Sequence, residues 1–522
     1  MNSVRKIFRI TYYFAVILLF GIIAIIGYTQ TRSFKTYLRD LILHESVTFM
    51  NGELHLDAIE GNLISGFRVN NVHVTEGGME LFSAQRLEIK YDPIGFLFKR
   101  VSISNVVIEK PRIYITRAIN GKYNIDRLFN PAPEDSTSSS WTINIKRLEL
   151  AEAEVALIDS LLLYERQTGK RIMPPDRMID FAHLHLRGLS VVASARIQPH
   201  EYTASIKKFS AILYQEEPVH SFDGPGQSPD PLGTPLLTLE NLSGDFLLTR
   251  DEASARHITL ETPNTHIRCD AGIKGIDITR ISSLEEMKSV PVDFSLTAEN
   301  LDTRELKLFL SPSIDFLDRS LTLQLNAAGT FGVLNVEQLS IGLPESHIKL
   351  HGQVRNLHQP RELEMSVEAN DNLITPHDLL DCMPGLHLPD LAFLGTVKFS
   401  LTYEGRPLDF KTRLTGYTSA GDITIDGKMK FDPANITYSG TVDVHSLGLG
   451  TIFNDQSLAS NIHARITADG AGFNLHTMTG IAKVEMDSSS FSGLPIQHSV
   501  LVFDIADGSL RSPIGASVGC AN

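Results

Sequence analysis

Residues 54–117 read LHLDAIEGNLISGFRVNNVHVTEGGMELFSAQRLEIKYDPIGFLFKRVSISNVVIEKPRIYITR, and this stretch decides the fold class. Within it, short runs alternate apolar and polar residues: Leu87 and Ile89 flank Glu88, and Val101 and Ile103 flank a serine. A period of two places one set of side chains on one face of a β-strand. Glycines and prolines separate the runs, at points where a chain turns or leaves a ladder. The stretch therefore predicts a meander of half-apolar strands.

The whole chain has 522 residues and a net charge of -14 at neutral pH. This length exceeds one compact core and predicts several domains or a repeat array. The acidic balance argues against a nucleic acid as partner. Three cysteines (Cys269, Cys382 and Cys520) are too few and too scattered for a disulfide framework or a metal cage. Isolated buried thiols are the favoured interpretation of them, and reactive thiols are the alternative.

An uncharged apolar run, ITYYFAVILLFGIIAIIGY, extends over residues 10–28. A helix of this length reaches roughly 28 Å, enough to cross the apolar core of a bilayer. Arg5, Lys6 and Arg9 precede the run, which predicts that residues 1–9 stay in the cytosol and the remainder is exported. A cleaved signal peptide is the alternative, but the run is long for one and no clear cleavage site follows it. We therefore predict a single-pass anchor over 10–28.

Two polar stretches divide the exported part of the chain. NPAPEDSTSSS (130–140) is typical of a linker, and HSFDGPGQSPDPLGTP (220–235) is typical of a loop. The predicted organisation after the anchor is a β-module over 29–130, a linker over 131–140, a β-module over 141–219, a loop over 220–235 and repeated β-modules over 236–522.

Three local patterns give further predictions near the start of the exported part. Residues 31–44 predict a short helix. Asn51-Gly52 predicts a two-residue hairpin between strands at 47–49 and 54–56. The sequence IGFLF (94–98), introduced by Asp-Pro, predicts one apolar helical turn between two strands.

One sequence pattern in the second half recurs at a spacing of roughly 70 to 80 residues. NLDT at 300–303 recurs as NLIT at 372–375, each with a proline twelve residues after its asparagine, and more weakly as SLGL at 446–449. Asp302 and Thr375 stand where a helix N-cap is expected. Each copy therefore predicts the start of a short helix.

A second pattern supports the same repeat. PNTHIR at 263–268 recurs as PESHIK at 344–349, and more loosely as TSAGDI at 418–423. His266 and His347 occupy matching positions, which predicts a structural role for both. Each repeat reads as strands, a short helix and more strands, so open strand edges of one unit can pair with the next. The repeats predict a long continuous sheet.

The N-terminal part of the chain resembles AsmA/TamB-type proteins. The segments that carry the resemblance are GNLISGFRVNNVHV (61–74), LFSAQRLEIKYDP (81–93), KRVSISNVVIEKPRIYITR (99–117) and NGKYNIDRLF (120–129). The resemblance implies a bacterial inner-membrane anchor and an elongated, folded-over β-groove in the periplasm. It also implies transport of phospholipid toward the outer membrane, or assistance in the assembly of outer-membrane proteins.

One departure from the family pattern concerns the C-terminus. TamB-like members are much longer, and their C-terminal region engages an outer-membrane β-barrel of the Omp85 type. This chain ends at SLRSPIGASVGCAN (509–522), whose last residues do not fit the preceding pattern. We therefore expect a truncated chain that lacks the contact region for the barrel partner.

The fold class that we predict is mainly β, with a single N-terminal transmembrane helix, an elongated repetitive β-groove and a few short helices. A continuous apolar face removes the penalty that an acyl chain of about sixteen carbons meets in water, on the order of 10 kcal/mol. An ordinary closed sandwich core gives the same alternation and is the alternative. The groove candidates are Leu87, Ile89, Val101, Ile103, Ile113, Ile115, Leu321, Leu323, Leu325, Val397, Phe399, Leu401, Ile423 and Ile425.

The sequence contains no H-E-x-x-H motif, no P-loop and no dinucleotide fingerprint. His183 and His185 share a strand face, but no further ligand at suitable spacing completes a metal site. Trp141 is expected to anchor the strand that follows it, and Glu285-Glu286 to lie on a solvated surface. We predict no enzymatic activity, no cofactor and no metal.

Three functions remain as hypotheses. The first is a lipid conduit whose partners are phospholipid acyl chains and the inner membrane. The second is an assembly factor that pairs an exposed strand edge with a client protein. The third is a periplasmic scaffold without a ligand. Bound lipid would favour the first, and strand pairing with a client the second.

Overall fold

The computed structural model describes residues 2–128, 141–169, 179–214, 235–281, 283–309, 319–359, 362–382, 391–432, 435–472, 478–506 and 509–511. The predicted linker (131–140), residues 220–234 of the predicted loop, Pro312, Pro384 and the C-terminal residues 512–522 lie outside these residues. The chain divides into two compact units. Unit 1 comprises residues 1–250 and 257–263, and unit 2 comprises residues 251–256 and 264–522.

Unit 1 contains four helices and eleven complete strands among the described residues. The helices are α1 (Asn2–Thr29), α2 (Arg32–Phe49), α3 (Asn124–Leu128) and α4 (Ser160–Gln167). The strands are β1 (Glu53–His55), β2 (Ile59–Glu60), β3 (Gly66–Glu76), β4 (Met79–Asp92), β5 (Arg100–Glu109), β6 (Arg112–Arg117), β7 (Thr142–Asp159), β8 (His183–Gln198), β9 (Glu201–Tyr214), β10 (Pro235–Leu239) and β11 (Asn241–Thr249). A 3-10 helix at Ile94–Phe98 confirms the helical turn predicted there.

Strand β12 (Glu252–Glu261) contributes residues to both units. Unit 2 continues with β13 (His266–Lys274), β14 (Pro291–Asp302), β15 (Ser320–Thr330), β16 (Val333–Gly342), β17 (His347–Arg355), β18 (Glu364–Ile374), β19 (Val397–Arg406), β20 (Asp409–Thr418), β21 (Gly421–Asp432), β22 (Asn435–Leu447), β23 (Ser460–Ala471), β24 (Thr479–Met486), β25 (Ser489–Phe491), β26 (Leu494–Ile496), β27 (Ser499–Ala506) and β28 (Ser509–Arg511). Its helices are α5 (Thr303–Lys307), α6 (Pro376–Cys382) and α7 (Leu449–Phe453), with 3-10 turns at Ile278–Arg280, Leu284–Met287, Ala392–Leu394 and Gln456–Leu458. The mainly β prediction is confirmed.

Helix α2 and strands β1 to β4 form a closed N-terminal module. The helix begins at Thr31, whose hydroxyl accepts a hydrogen bond from the Phe34 backbone N–H at 3.3 Å. Leu38 and Ile42, four residues apart on one helix face, pack against a buried cluster of the sheet. That cluster consists of Ile59, Val69 and Val72.

The hairpin predicted at Asn51-Gly52 is wrong, because residues 47–49 belong to the last turn of α2. Met50 follows the helix and packs in a second buried cluster with Leu81 and Leu128. Burial of that side chain favours the helix over the local turn signal. The helix predicted at 31–44 is confirmed and extends to Phe49.

The predicted meander is right for β3, β4 and β5, which pair antiparallel in sequence order. It is wrong for β6, which pairs antiparallel with β4. Strand β7, which lies outside the predicted stretch, pairs parallel with both β5 and β6. Parallel neighbours need a long connection between them. Here the chain passes through β6, α3 and residues 129–141 before β7 begins. Strands β8 and β9 then continue antiparallel from β7.

Unit 2 contains an antiparallel ladder in which β13 to β24 pair in order and β24 pairs with β27. The predicted repeats are three equivalent hairpins of this ladder. Each has a register shift that ends two to four residues before a short helix: Ala298/Leu301 before α5, Ala369/Asn372 before α6 and Val444/Leu447 before α7. A β-bulge bends its strand locally, so each repeat turns the chain at the same place.

The predicted helix starts are also confirmed. The Asp302 carboxylate accepts a hydrogen bond from the Arg304 backbone N–H at 2.9 Å, and the Thr375 hydroxyl accepts one from Asp378 N–H at 3.3 Å. His266 and His347 are the first residues of β13 and β17. Equivalent sequence positions therefore start equivalent strands.

Candidate functional site

A row of apolar side chains crosses the ladder of unit 2 from strand to strand. Backbone register aligns one residue of each strand from β13 to β17, and again from β18 to β24 and on to β27. We call the aligned residues the apolar row: Cys269, Leu296, Leu325, Leu339, Leu350, Ala369, Leu401, Leu414, Ile425, Val442, Ile466, Val484 and Leu501. At a strand spacing of about 4.8 Å, the row extends on the order of 60 Å along the sheet.

Several predicted groove residues meet in this row or beside it. Leu325, Leu401 and Ile425 are members of the row, although 24 or more residues separate them in sequence. Each of these three is preceded by two positions by another predicted residue, which therefore lies on the same face: Leu323, Phe399 and Ile423. Phe399 pairs with Gly416, which in turn pairs with Ile423.

The outermost predicted residues lie beside the bulges. Leu321 pairs with Leu301, and Val397 pairs with Ile374. Leu321 is buried in a small cluster with Ala298 and Leu301, against which Leu323 also packs. At Leu321 the closed-core alternative describes the contacts.

In the apolar row itself the side chains are half-buried, except that of Ala369, which is fully buried. The half-buried members include Leu325, Leu401, Leu414, Ile425 and Ile466. In the N-terminal module, by contrast, residues of the cluster under α2 are at most 6% exposed. Neighbouring strands thus shield the row on both sides, but its face is not sealed as a packed core is. Such a face can accept an apolar ligand without first opening a core.

Paired glycines let adjacent strands approach closely on this face. Gly440 pairs with Gly427, and Gly480 pairs with Gly470, all four on the side of the sheet that carries the row. A Cβ atom on Gly440 would lie 2.6 Å from the Gly427 Cα, and one on Gly480 would lie 2.7 Å from the Gly470 Cα. A side chain at either position would overlap the facing strand, so the close approach requires glycine. Sequence reasoning missed these glycines, because their pairing depends on the register of the strands.

The opposite face of the ladder is polar and carries ion pairs. The Arg413 Nε lies 2.9 Å from Asp426 Oδ2, and Arg465 Nε lies 2.6 Å from Asp443 Oδ1. The hydrogen bond from Arg465 lowers the pKa of Asp443 below its usual range. These residues alternate with Leu414, Ile425 and their neighbours, so charge and apolar surface are separated by the pleat.

An aromatic pair and a charged cleft lie near one end of strands β19 and β20. Tyr403 stacks on Phe410 with ring centroids 4.6 Å apart, and burial raises the pKa of the Tyr403 hydroxyl. An open cleft of about 510 Å³ lies beside Phe410, and its lining includes Arg355 and Lys428 as well as acidic residues. Lys428 lies two residues from Asp426 on β21, so this charged group belongs to the polar face of the ladder.

In unit 1 the predicted residues Ile89, Ile103 and Val101 also face one another across strands. Ile89 pairs with Val106, Ile103 pairs with both Tyr91 and Ile145, and Val101 pairs with Ile143. Matching bulges in β5 and β7 keep these side chains on one face although their sequence parity changes. All three are half-buried.

The remaining unit 1 residues differ in their surroundings. Leu87 packs against the cluster beneath α2, so the closed-core alternative describes its contacts. Ile113 pairs with Phe82 and with Val155, and Ile115 pairs with Leu157. Both isoleucines are half-buried.

The candidate histidines have structural partners. His185 is buried with its Nε2 2.7 Å from Glu154 Oε1, and the Arg112 and Arg187 side chains approach the same carboxylate. His183 lies 3.9 Å from Asp180. Among the described residues, no group of three or more His, Cys, Asp or Glu side chains is arranged to hold a metal ion.

Other singled-out residues have simple surroundings. Burial, with the charge of Asp270 acting in the same direction, raises the pKa of the Cys269 thiol at one end of the apolar row. Glu285 and Glu286 are exposed in a 3-10 turn, which confirms the solvated surface predicted for them. Trp141 contacts Phe96, with ring centroids 6.3 Å apart, and keeps more than a third of its surface exposed.

The N-terminal apolar run lies within α1. Among the described residues, no single helix is long and apolar enough to cross a membrane, although Val16–Thr29 and Arg32–Thr48, bent by 70° at their junction, satisfy the criterion together by length and composition. Residues 1–162 match the sequence model of the AsmA family. The predicted AsmA/TamB-like resemblance is confirmed over these residues. The matched residues include the N-terminal module, strands β5 to β7 and the first residues of α4. Comparisons with curated proteins and with solved structures each find no match.

Proposed function

We propose that this protein is anchored in a bacterial inner membrane through residues 10–28 and carries phospholipid acyl chains on the apolar face of its sheet toward the outer membrane. The observation that supports this most directly is the apolar row, half-buried in twelve of its thirteen strands in unit 2. An acyl chain of about sixteen carbons avoids a penalty on the order of 10 kcal/mol by staying on such a face.

A charged cleft at the strand ends suits the other end of a phospholipid. Arg355 and Lys428 line the cleft beside Phe410, together with Glu364 and Asp409. A zwitterionic headgroup carries a phosphate and an ammonium group, and groups of both signs can pair with it in solvent. The acyl chains then lie on the apolar row while the headgroup stays in solvent near the strand ends.

Site-specific photo-crosslinking in cells tests the proposal on the full chain. A benzophenone amino acid is placed at Ile466, in the apolar row, or at Thr467, its neighbour on the opposite face. After irradiation, mass spectrometry of the purified protein should find phospholipid adducts at position 466 and none at position 467. No lipid adduct at either position, or equal amounts at both, would contradict lipid carriage.

Adducts with outer-membrane proteins at position 466 would instead favour the assembly-factor hypothesis. A second variant separates binding from transport. Ile466→Asp puts a charge into the row and should block lipid passage, whereas Thr467→Asp, which faces Lys483 across the strand pair, should leave it unchanged.

A further inference from the structure

A turn of unit 1 displays large apolar side chains to solvent. In the 3-10 helix Ile94–Phe98, Ile94 is 63% exposed and Phe98 is 69% exposed, and Phe96 is also largely exposed. The turn is well formed: the Asp92 carboxylate accepts a hydrogen bond from Ile94 N–H at 3.0 Å, and Lys99 closes the turn in the left-handed region at φ 56°. A stable turn that exposes such residues is typical of an interaction site.

Aromatic contacts fix this turn to the core of the N-terminal module. Phe67, which packs against the cluster beneath α2, lies 6.3 Å from Tyr91 by ring centroids, and Tyr91 lies 6.2 Å from Phe96. The Tyr91 hydroxyl also donates a hydrogen bond to the Leu63 carbonyl. Trp141 extends the series from Phe96. The exposed turn therefore has a fixed position on the module.

That position is the end of the module from which α1 departs. Helix α2 runs in the same direction as β3, because Leu38 packs against the cluster that contains Val69, whereas Met50, after the helix end, is in the cluster against which Val74 packs. The first turns of α2 thus lie toward the end of β3 that adjoins Tyr91 and the exposed turn. Helix α1 ends at Thr29, just before α2 begins.

The junction of the two helices carries the same kind of residues. Tyr28 and Tyr37 are both about 60% exposed and flank Phe34, with ring centroids 5.3 and 6.4 Å from it. Tyrosine and tryptophan are enriched at the membrane–water interface. Basic residues follow at both places: Arg32 and Lys35 on α2, Lys99 and Arg100 after the turn.

We propose that the turn Ile94–Phe98, together with Trp141, inserts into the headgroup region of the bilayer that α1 enters, with Lys99 and Arg100 against anionic lipid headgroups. This inference rests on the membrane anchor of the proposed function. Apolar burial and attraction to anionic lipid add together at such a contact. Tyr91 pairs with Ile103, and the apolar residues that face one another across the strands of unit 1 then begin at the bilayer surface. A lipid can pass onto the sheet there.

Trp141 is the only tryptophan of the chain and reports on the contact directly. The full chain is reconstituted into vesicles of phosphatidylethanolamine and phosphatidylglycerol, and Trp141 emission is compared with that in detergent. Lipids brominated close to the headgroup end of the acyl chain should quench Trp141 more strongly than lipids brominated near the chain terminus. A soluble quencher such as iodide should have little effect.

Variants identify the turn as the cause. The double variant Ile94→Glu, Phe98→Glu should abolish quenching by brominated lipid and restore quenching by iodide. Phe181→Glu is the matched control, since Phe181 is also largely exposed in unit 1 but lies near the opposite end of β7 from Trp141. It should behave as the unmodified chain. Both changes are at exposed sites, so thermal unfolding should be nearly unchanged.

Vesicle flotation separates failure of this inference from failure of the anchor. If the chain floats with the vesicles while Trp141 is not quenched, the turn does not contact the bilayer and the inference is wrong. Quenching that the double variant leaves unchanged would also overturn it, because lipid would then reach Trp141 by another route. A chain that does not float would contradict the anchor of the proposed function itself.

Discussion

The N-terminal module and the ladder of unit 2 use the same alternating strands, and yet they bury different things. Under α2, Ile59, Val69 and Val72 form a sealed apolar cluster of 4–6% exposure. In the ladder, side chains of the apolar row such as Ile466 remain half-buried. Alternation therefore defines which side chains share a face, whereas a covering helix decides whether that face becomes a core.

The ladder also buries polar side chains. Asn372, Asp302 and Asp378 are among the most completely buried side chains of the described structure, and all three lie at the bulges or at the short helices that follow. Buried polar groups are stabilising only when they are hydrogen-bonded, and they then fix one geometry. The ladder is thus held in register along its bulged edge while its apolar face stays accessible.

The largest effect is expected from a charge in the sealed cluster. Val69→Asp places a carboxylate among Ile59, Val72 and the α2 residues, where it has no partner, and should reduce the free energy of unfolding of unit 1 by about 4 kcal/mol or more. Thermal unfolding of the full chain in detergent, followed by Trp141 fluorescence, measures the loss.

The matched variant in the ladder is Ile466→Asp. Because this side chain is half-exposed and a carboxylate there can reach water, the loss of stability should be about 1–2 kcal/mol. Equal losses at Val69 and Ile466 would mean that the ladder face is a closed core. The distinction between the two regions would then fail.

The loss of stability expected at a buried amide in the ladder lies between those at Val69 and at Ile466. Asn372 Oδ1 accepts a hydrogen bond from Lys349 N–H at 2.6 Å, and its Nδ2 donates to the Lys349 carbonyl at 3.2 Å, across the register shift of β18. Asn372→Ala removes both of these hydrogen bonds to the Lys349 backbone and should cost about 2–3 kcal/mol. Hydrogen exchange at the Lys349 amide should accelerate.

Gln338→Ala is the control for that variant, since its amide bonds only to Gln324 on the exposed face, at 3.4 Å. It should change neither exchange nor stability measurably. Unchanged protection at Lys349 in Asn372→Ala would show that the bulge does not depend on the amide.

Much of the ladder was predictable from the sequence, because alternation, helix caps and the recurring NLDT and PNTHIR patterns are local signals. The alignment of Leu325, Leu401 and Ile425 in one row was not, since register depends on bulges that no single strand reveals. Leu87 and Leu321 have the same pattern as their neighbours, but α2 and a bulge cluster enclose them. At residues 47–49, burial of Met50 favoured a helix over the Asn-Gly turn signal. Pattern predicts a face, and only tertiary contacts show what covers it.

The smallest effect is expected at the buried carboxylate that begins α5. The side-chain hydrogen bond from Arg304, with Nη2 2.6 Å from Asp302 Oδ2, is the main cause of the lowered pKa of Asp302, and burial acts against it. A lowered pKa in the folded state means that the ionised group stabilises the fold above its unfolded pKa of about 3.9. That contribution disappears as the pH falls through the folded-state pKa.

Asp302→Asn keeps the shape of the cap but removes the charge. It should reduce stability by about 1 kcal/mol at neutral pH, and the difference from the unmodified chain should vanish on acidification below the folded-state pKa. Thermal unfolding of both chains across this pH range measures the difference. Arg304→Gln removes the partner of Asp302 in this ion pair. It should reduce the pH-dependent difference in stability over the same pH range. If the difference in stability between the two chains persists at low pH, the buried charge of Asp302 does not stabilise the bulged edge of the ladder. Another interaction must then hold the ladder in register.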